Sequence, residues 1–174
     1  GGLLWAGGST TLPTGDFELH LEFRVPYKPV RPLSNQDRGN SGIYIFGNYE
    51  VQILDTFGLD FDTDNNALKV GSLNSQWCGS FYKFITPDVP MAFPPLQWQT
   101  YDIAFTAPRF EGGKKVKNAR ATVRHNGVLI HDDLELPGGT GNGAKRPEAP
   151  QGTILFQGHG NPVAFRNVWL LEKR

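Results

Sequence analysis

The sequence predicts an all-β fold, built as a sandwich or a barrel. Three observations predict it. The 174 residues include 21 glycines and 13 prolines, a density of chain breakers that leaves little room for long helices. Apolar residues recur mostly at every second position, the period of a strand, and nowhere at the helical period. Asn126-Gly127 separates two such segments, and Asn-Gly favours a tight hairpin because both central residues need positive φ.

The elements follow in order. Phe17, Leu19, Leu21, Phe23 and Val25 alternate with Glu18, His20, Glu22 and Arg24, a strand with one buried and one wet face. Gly39 to Asp55 reads as two short strands joined at Gly47-Asn48. The second of these sets Tyr49, Val51 and Ile53 on one face and Glu50 and Gln52 on the other. Those two polar residues are either ordinary solvated side chains or the floor of a groove. Tyr101, Ile103 and Phe105 alternate with Asp102, Ala104 and Thr106. Thr122–His125 and Val128–His131 flank the Asn-Gly turn, and Thr153–Phe156 is a further short strand. Phe165, Asn167, Trp169 and Leu171 alternate with Arg166, Val168 and Leu170, which predicts a strand covered on both sides. The first and last strands are both strongly apolar and are expected to pair. Tyr27–Arg38, Thr56–Gln76 and Pro137–Gln151 read as long loops, and such loops in a compact domain are functional or disordered.

Composition narrows the function classes. Residues 1–174 have the length of one domain, and 39% hydrophobic with 20% charged residues suits a soluble, folded chain. The net charge is zero and no long basic stripe appears, which argues against a nucleic-acid partner. Lys114, Lys115 and Lys117 beside Gly112-Gly113 read as a solvated loop tip. No run is long and apolar enough for a membrane helix. Cys78 is the only cysteine, so no disulfide closes within the chain and the compartment is not fixed by redox chemistry. No signal peptide is visible, and the abrupt start at Gly1-Gly2-Leu3 leaves room for a leader or an upstream domain.

Several constellations could carry chemistry. Asp60, Asp62 and Asp64 alternate like the start of a calcium loop, although position six is Asn65 rather than Gly and the twelfth position is Gly71 rather than Glu. A polar turn held by Asx hydrogen bonds competes with that reading. His20, His125, His131 and His159 are not spaced like a zinc site. His159 stands out because Gly158 and Gly160 flank it and allow a ligand close to the backbone. Trp5, Trp77, Tyr82 and Trp98 offer flat faces for sugars, or simply fill a core. No serine elbow, phosphate loop or dinucleotide fingerprint is present.

Taken together, six segments resemble a known family. They are Asp16–Arg24, Gly39–Asp55, Cys78–Tyr82, Trp98–Ile103, Thr122–Gly127 and Gln157–Trp169. Their order and spacing are similar to the 3-keto-disaccharide hydrolase domain. The resemblance implies a two-sheet antiparallel jelly-roll sandwich of the concanavalin A type with a sugar-binding face. It implies a glycoside already oxidised at C3 as the substrate, and a periplasmic or secreted location. A C3 ketone acidifies the C2 proton. A base removes that proton, the C1 substituent leaves by β-elimination, and the unsaturated keto-sugar is hydrated. Such a route needs a base, a stabiliser for the enolate oxygen, and an acid or metal at the leaving group.

The family pattern matches at Glu50, Gln52, Asp55, His159 and Arg166. The expected roles are Glu50 or His159 as base and Arg166 or a divalent cation as enolate stabiliser. Asn40, Tyr44, Gln52, Tyr82 and Gln157 are the sugar-positioning candidates, and Asp55 is a supporting residue or metal ligand. The chain departs from the family at Gly158, where an Asp is common, and at Ala164, where a basic residue is common. Loss of a carboxylate beside His159 changes the surroundings that set its tautomer. Two other classes share the fold: a non-catalytic, lectin-like module and a structural surface domain.

Overall fold

The computed structural model describes residues 4–5, 7–31, 36–59 and 73–173. The strands are β1 (Leu4–Trp5), β2 (Phe17–Arg24), β3 (Ser41–Ile45), β4 (Tyr49–Ile53), β5 (Gln99–Thr106), β6 (Arg109–Glu111), β7 (Lys114–Lys117), β8 (Ala119–His125), β9 (Val128–Leu136), β10 (Ile154–Phe156) and β11 (Ala164–Glu172). A six-stranded sheet runs β1-β11-β2-β5-β8-β9, a three-stranded sheet runs β10-β3-β4, and β6-β7 form a separate ribbon. Every pairing is antiparallel.

The two larger sheets face each other across one core. Phe17, Leu19, Leu21, Phe23, Tyr101, Ile103 and Phe105 enter it from one side, and Ile43, Ile45, Tyr49, Val51, Ile53 and Ile154 from the other. The expected two-sheet antiparallel sandwich is the fold. Polar bonds cross the core, among them that of the Tyr101 hydroxyl on β5, which donates to the Gln52 carbonyl on β4 at 2.8 Å. A donor there stays satisfied while tying the sheets together.

The period of two carries into the structure. Burial along β2 and β5 alternates as the apolar pattern requires. Asn126 and Gly127 have φ of 52° and 81° and join β8 to β9. The first and last long strands pair, with Phe165 opposite Phe23 and Leu170 opposite Leu19.

Four local expectations are corrected. The β3–β4 turn has its positive φ at Phe46 (58°) and Gly47 (71°), not at Gly47-Asn48. Phe46 accepts that backbone because its ring packs against Phe17 and Phe105 at centroid distances of 6.4 and 5.2 Å. Tertiary packing there outweighs local turn preference. Strand β11 is not covered on both sides: Ala164 and Phe165 are buried, and the residues from Arg166 onward are exposed. The register shifts between Arg166 and Trp169, and β1 reaches only Ala164 and Phe165. Lys114–Lys117 is a strand rather than a loop tip. Lys115 Nζ donates to the Pro137 carbonyl at 2.6 Å and pairs with Glu148 at 2.5 Å. The Pro137–Gln151 stretch is not structureless either, because Gly141–Lys145 forms a 3-10 turn.

Candidate functional site

On β4, Tyr49, Val51 and Ile53 enter the core, so strand alternation turns Glu50 and Gln52 to the outer face of the three-stranded sheet. That face is not wet. Glu50 is 2% exposed and Gln52 1% exposed. Two segments far away in sequence cover them. Residues 79–82 run along the free edge of β4: Tyr82 N–H donates to the Glu50 carbonyl at 2.9 Å, and Gln52 N–H donates to the Ser80 carbonyl at 2.9 Å. From the other end, Glu50 N–H donates to the Thr140 hydroxyl at 2.9 Å. Thr140 precedes the 3-10 turn at Gly141–Lys145, which sits against the β3–β4 turn through its glycines. A Cβ on Gly141 would come 2.5 Å from the Tyr82 ring, and one on Gly143 would collide with the Asn48 carbonyl.

Gly42 completes the floor. It is the β3 partner of Gln52, and an added Cβ there would lie 2.6 Å from Glu50 Oε1. The carboxylate therefore lies folded against β3, in space that only glycine leaves open. Tyr44, on the same face and 7% exposed, hydrogen-bonds the carboxylate through its hydroxyl. Burial pushes Glu50 up to about 7, against the downward pull of that hydrogen bond and of the Lys83 ammonium. Burial also raises the Tyr44 and Tyr82 hydroxyls, and the Glu50 charge adds to both. Glu50 can thus exchange a proton near neutral pH, while both tyrosines stay protonated.

An amide network surrounds it. Gln52 Nε2 donates to Gln36 Oε1 at 3.4 Å and to the Gln76 carbonyl at 3.3 Å. Asn40 Nδ2 reaches Gln36 Oε1 at 3.5 Å, and the Tyr82 hydroxyl donates to Gln76 Oε1 at 3.1 Å. Gln157 continues β10: its N–H donates to the Gly42 carbonyl at 2.8 Å. Glu50 Oε2, Gln52 Oε1, Gln157 Oε1 and Gln36 Nε2 are buried without a protein partner. Native interiors leave few polar groups in that state. Four in one neighbourhood leave hydrogen-bonding capacity around Glu50 that buried water can satisfy.

The structure brings Glu50, Gln52, Tyr44, Tyr82, Asn40 and Gln157 together. His159, two residues beyond Gln157, is exposed, and its carbonyl accepts from Asn161 Nδ2 at 3.1 Å. Arg166 is elsewhere. Its neighbour Phe165 is buried in the core, so Arg166 points out of the six-stranded sheet. There its Nε donates to Glu22 Oε2 at 2.6 Å and its guanidinium lies 4.0 Å from the Trp98 ring centre. The whole core separates it from Glu50, so the two cannot act on one sugar within this chain. Asp55 is buried and ion-paired with Arg38, whose other bonds go to the Lys28 and Arg31 carbonyls at 3.1 and 2.6 Å. Burial raises its carboxyl and Arg38 opposes the rise. Through Arg38 that carboxylate supports the loop at Lys28 and Arg31. Asp60, Asp62 and Asp64 lie outside the described residues. Among the described residues no three His, Cys, Asp or Glu side chains gather as metal ligands. Trp77 is fully buried core, Trp98 lies between Arg24 and Arg166, and the Trp5 side chain is outside the description.

Sequence reading missed Gln36, Gln76, Lys83 and Thr140. Gln36 and Gln76 sit in or at the end of long loops without a motif, and Thr140 lies 90 residues from its partner Glu50. A signal did exist for Lys83, which directly follows the motif Cys78–Tyr82.

Comparison with known proteins adds three findings. Residues 7–171 match the model of the 3-keto-alpha-glucoside-1,2-lyase-like domain. A crystal structure from Parabacteroides distasonis, of a protein provisionally named a glycosyl hydrolase, superposes with a TM-score of 0.77 at 32% identity over 95% of this chain and 67% of that one. A second protein of the same provisional name and organism gives a TM-score of 0.67 at 15% identity over 99% of this chain and 80% of that one, a likeness of fold. No curated protein matches the chain.

Proposed function

Because the chain belongs to the 3-keto-alpha-glucoside-1,2-lyase-like domain family, we propose that it cleaves 3-keto-glycosides by elimination, with Glu50 as the base. The observation that carries this reading is the state of Glu50. A carboxylate 2% exposed, held near a pKa of about 7 and with one oxygen unpartnered, is suited to take a proton from carbon.

The ketone at C3 makes the C2 proton acidic. Glu50 accepts it, and the C2–H electron pair becomes a C2=C3 bond while the carbonyl pair moves onto O3. Return of that pair reforms the ketone and expels the C1 oxygen with its bonding electrons, leaving C1=C2. Water then adds at C1 and a proton returns to C2. Gln52, Asn40 and Gln157 hold sugar hydroxyls through their amides, and Tyr44 orients the Glu50 carboxylate. Tyr82 offers its ring as one wall. His159, exposed beside the end of β10, is the candidate to protonate the departing oxygen from the solvent side. A divalent cation at Glu50 would take further oxygens from the Gln52 and Gln157 amides, whose Oε1 atoms have no protein partner, and no step is routed through it.

The test uses p-nitrophenyl 3-keto-glucosides of both anomers, followed by aglycone release and by the ultraviolet absorbance of the enone. The wild-type chain should turn over one anomer, Glu50→Gln should lose on the order of a hundredfold or more in kcat, and His159→Ala should lose activity separately. Full activity in both variants overturns the assignment. Binding of unoxidised glucan without any turnover favours the lectin-like alternative.

A further inference from the structure

With Arg166 on the far face, the enolate oxygen has lost the cation assigned to it. We propose that Lys83 supplies that positive charge, as a catalytic residue beside the Glu50 site. The inference rests on the reading of Glu50 as base.

Three features of the backbone point to it. Phe81 bridges Val51, and Tyr82 N–H donates to the Glu50 carbonyl at 2.9 Å, so residues 81–82 continue the sheet beside β4. Phe81 is core, so Tyr82 shares the outer face with Glu50. Simple alternation would send residue 83 back to the core side. Instead Lys83 has φ of 59°, a left-handed conformation that strand residues avoid and that a non-glycine side chain rarely adopts. Its N–H is fixed to the Ser75 carbonyl at 2.8 Å, and its ammonium lies 5.4 Å from the centre of the Tyr82 ring. The break in alternation brings a cation back to the Glu50 side. Strained backbone of this kind clusters at functional sites, where the surroundings hold it.

The electrostatics agree. Lys83 acts on Glu50, drawing its carboxyl down against burial. The other charged or titratable groups facing the carboxylate among the described residues are Tyr44 on β3 and Tyr82 beside β4, with Arg146, after the 3-10 turn, acting on Tyr44. No ion pair engages Lys83 among the described residues. An uncommitted ammonium can therefore meet negative charge that develops on O3 when the C2 proton moves to Glu50, and it releases that charge when C1–O breaks. A cation aimed at charge present only along the reaction lowers the barrier rather than merely tightening binding.

Lys83→Gly tests this without threatening the fold, because glycine relieves the positive φ while removing the charge. On the same nitrophenyl 3-keto-glucoside, kcat should fall on the order of a hundredfold. The acid limb of the pH–kcat profile should move to higher pH, since Glu50 loses the cation that lowers it. Lys83→Arg should restore most of the rate and the position of the limb. Unchanged kcat and an unmoved limb in Lys83→Gly, with Glu50→Gln inactive, overturn the role of Lys83 and leave the base standing. A change in KM alone overturns it too, marking Lys83 as a binding group. Activity in Glu50→Gln overturns both.

Discussion

The two outer faces of this sandwich carry similar residues in opposite physical states. On the six-stranded sheet, Glu22 accepts from Arg166 at 2.6 Å and from Asn167 at 3.1 Å, and His20 meets Asp102 at 2.6 Å while stacking on Trp169. These groups are partnered and open to solvent. On the three-stranded sheet, Glu50 is buried, its Oε2 has no protein partner, and the amides beside it are partly unsatisfied. Both glutamates came from the same alternation of apolar and polar residues. Glu22 is held below the usual carboxylate range by its hydrogen bond to Arg166, and Glu50 is raised to about 7 by burial. A polar outer face therefore means solubility in one sheet and chemistry in the other. The surroundings make the difference: residues 79–82 and Thr140 bond along the free edge of β4 and Tyr82 shares its outer face, whereas among the described residues Glu22 meets Arg166 and Asn167 at the surface.

Removing the buried charge should have the largest effect. Glu50→Gln should abolish elimination and at the same time stabilise the fold at neutral pH. The sign follows from proton binding. The folded state raises the Glu50 pKa from 4.5 to about 7, so it binds more protons than the unfolded chain between those values. Stability from this group is present below about pH 4.5 and is lost as pH rises to about 7. The difference amounts to about 3 kcal/mol at most, at about 1.4 kcal/mol per unit. Urea unfolding of both forms across this range should give curves that diverge with rising pH, the variant being the more stable above neutrality. Parallel curves would mean that Glu50 ionises in the fold as freely as it does in the unfolded chain.

Gly42→Ala should have an intermediate effect and isolates the position of the carboxylate from its presence. The new Cβ would stand 2.6 Å from Glu50 Oε1, so the side chain must swing away from β3. Small displacements of a reacting group cost about tenfold to a hundredfold in rate, and that is the expected fall in kcat. Thermal unfolding should change little if Glu50 moves toward the open side. Unchanged kcat would show that the carboxylate does not work from the pose it adopts against Gly42.

Much of this architecture was legible in the sequence, because strands announce themselves by a period of two. Phe17 to Val25 and Tyr101 to Thr106 needed no more than that, and Asn126-Gly127 named its own turn. The outward direction of Arg166 was not legible, because the apolar residues at both parities of β11 suggested a strand covered on both sides. What could not be read was which sheet each strand joins. Resemblance gathered Glu50, His159 and Arg166 into one set of matched residues, and only the pairing of β11 with β2 separates Arg166 from Glu50. Burial of Glu50 was illegible for a different reason. Its neighbours Tyr82 and Thr140 lie 32 and 90 positions on, the first in a motif with no strand signal and the second in a stretch that reads as loop. Phe46 shows the same limit in a turn, where a distant aromatic cluster overrode the local preference for Gly47-Asn48.

Arg166→Ala should have the smallest effect, and it tests the comparison from the exposed side. Arg166 is 44% exposed at its side chain and Glu22 19%. Exposed pairs of this kind contribute about 0–1 kcal/mol, because water and salt screen the attraction and ordering long side chains costs entropy. The stacking on Trp98 adds a similar modest amount. The variant should therefore unfold at a slightly lower urea concentration and lose part of that difference in high salt. Its kcat on a 3-keto-glucoside should match the wild type, since the filled core stands between Arg166 and Glu50. A large fall in kcat with little change in stability would place the chemistry on the six-stranded sheet, with Glu22, His20 and Asp102 as its acids and bases, and would reverse the contrast between the two faces.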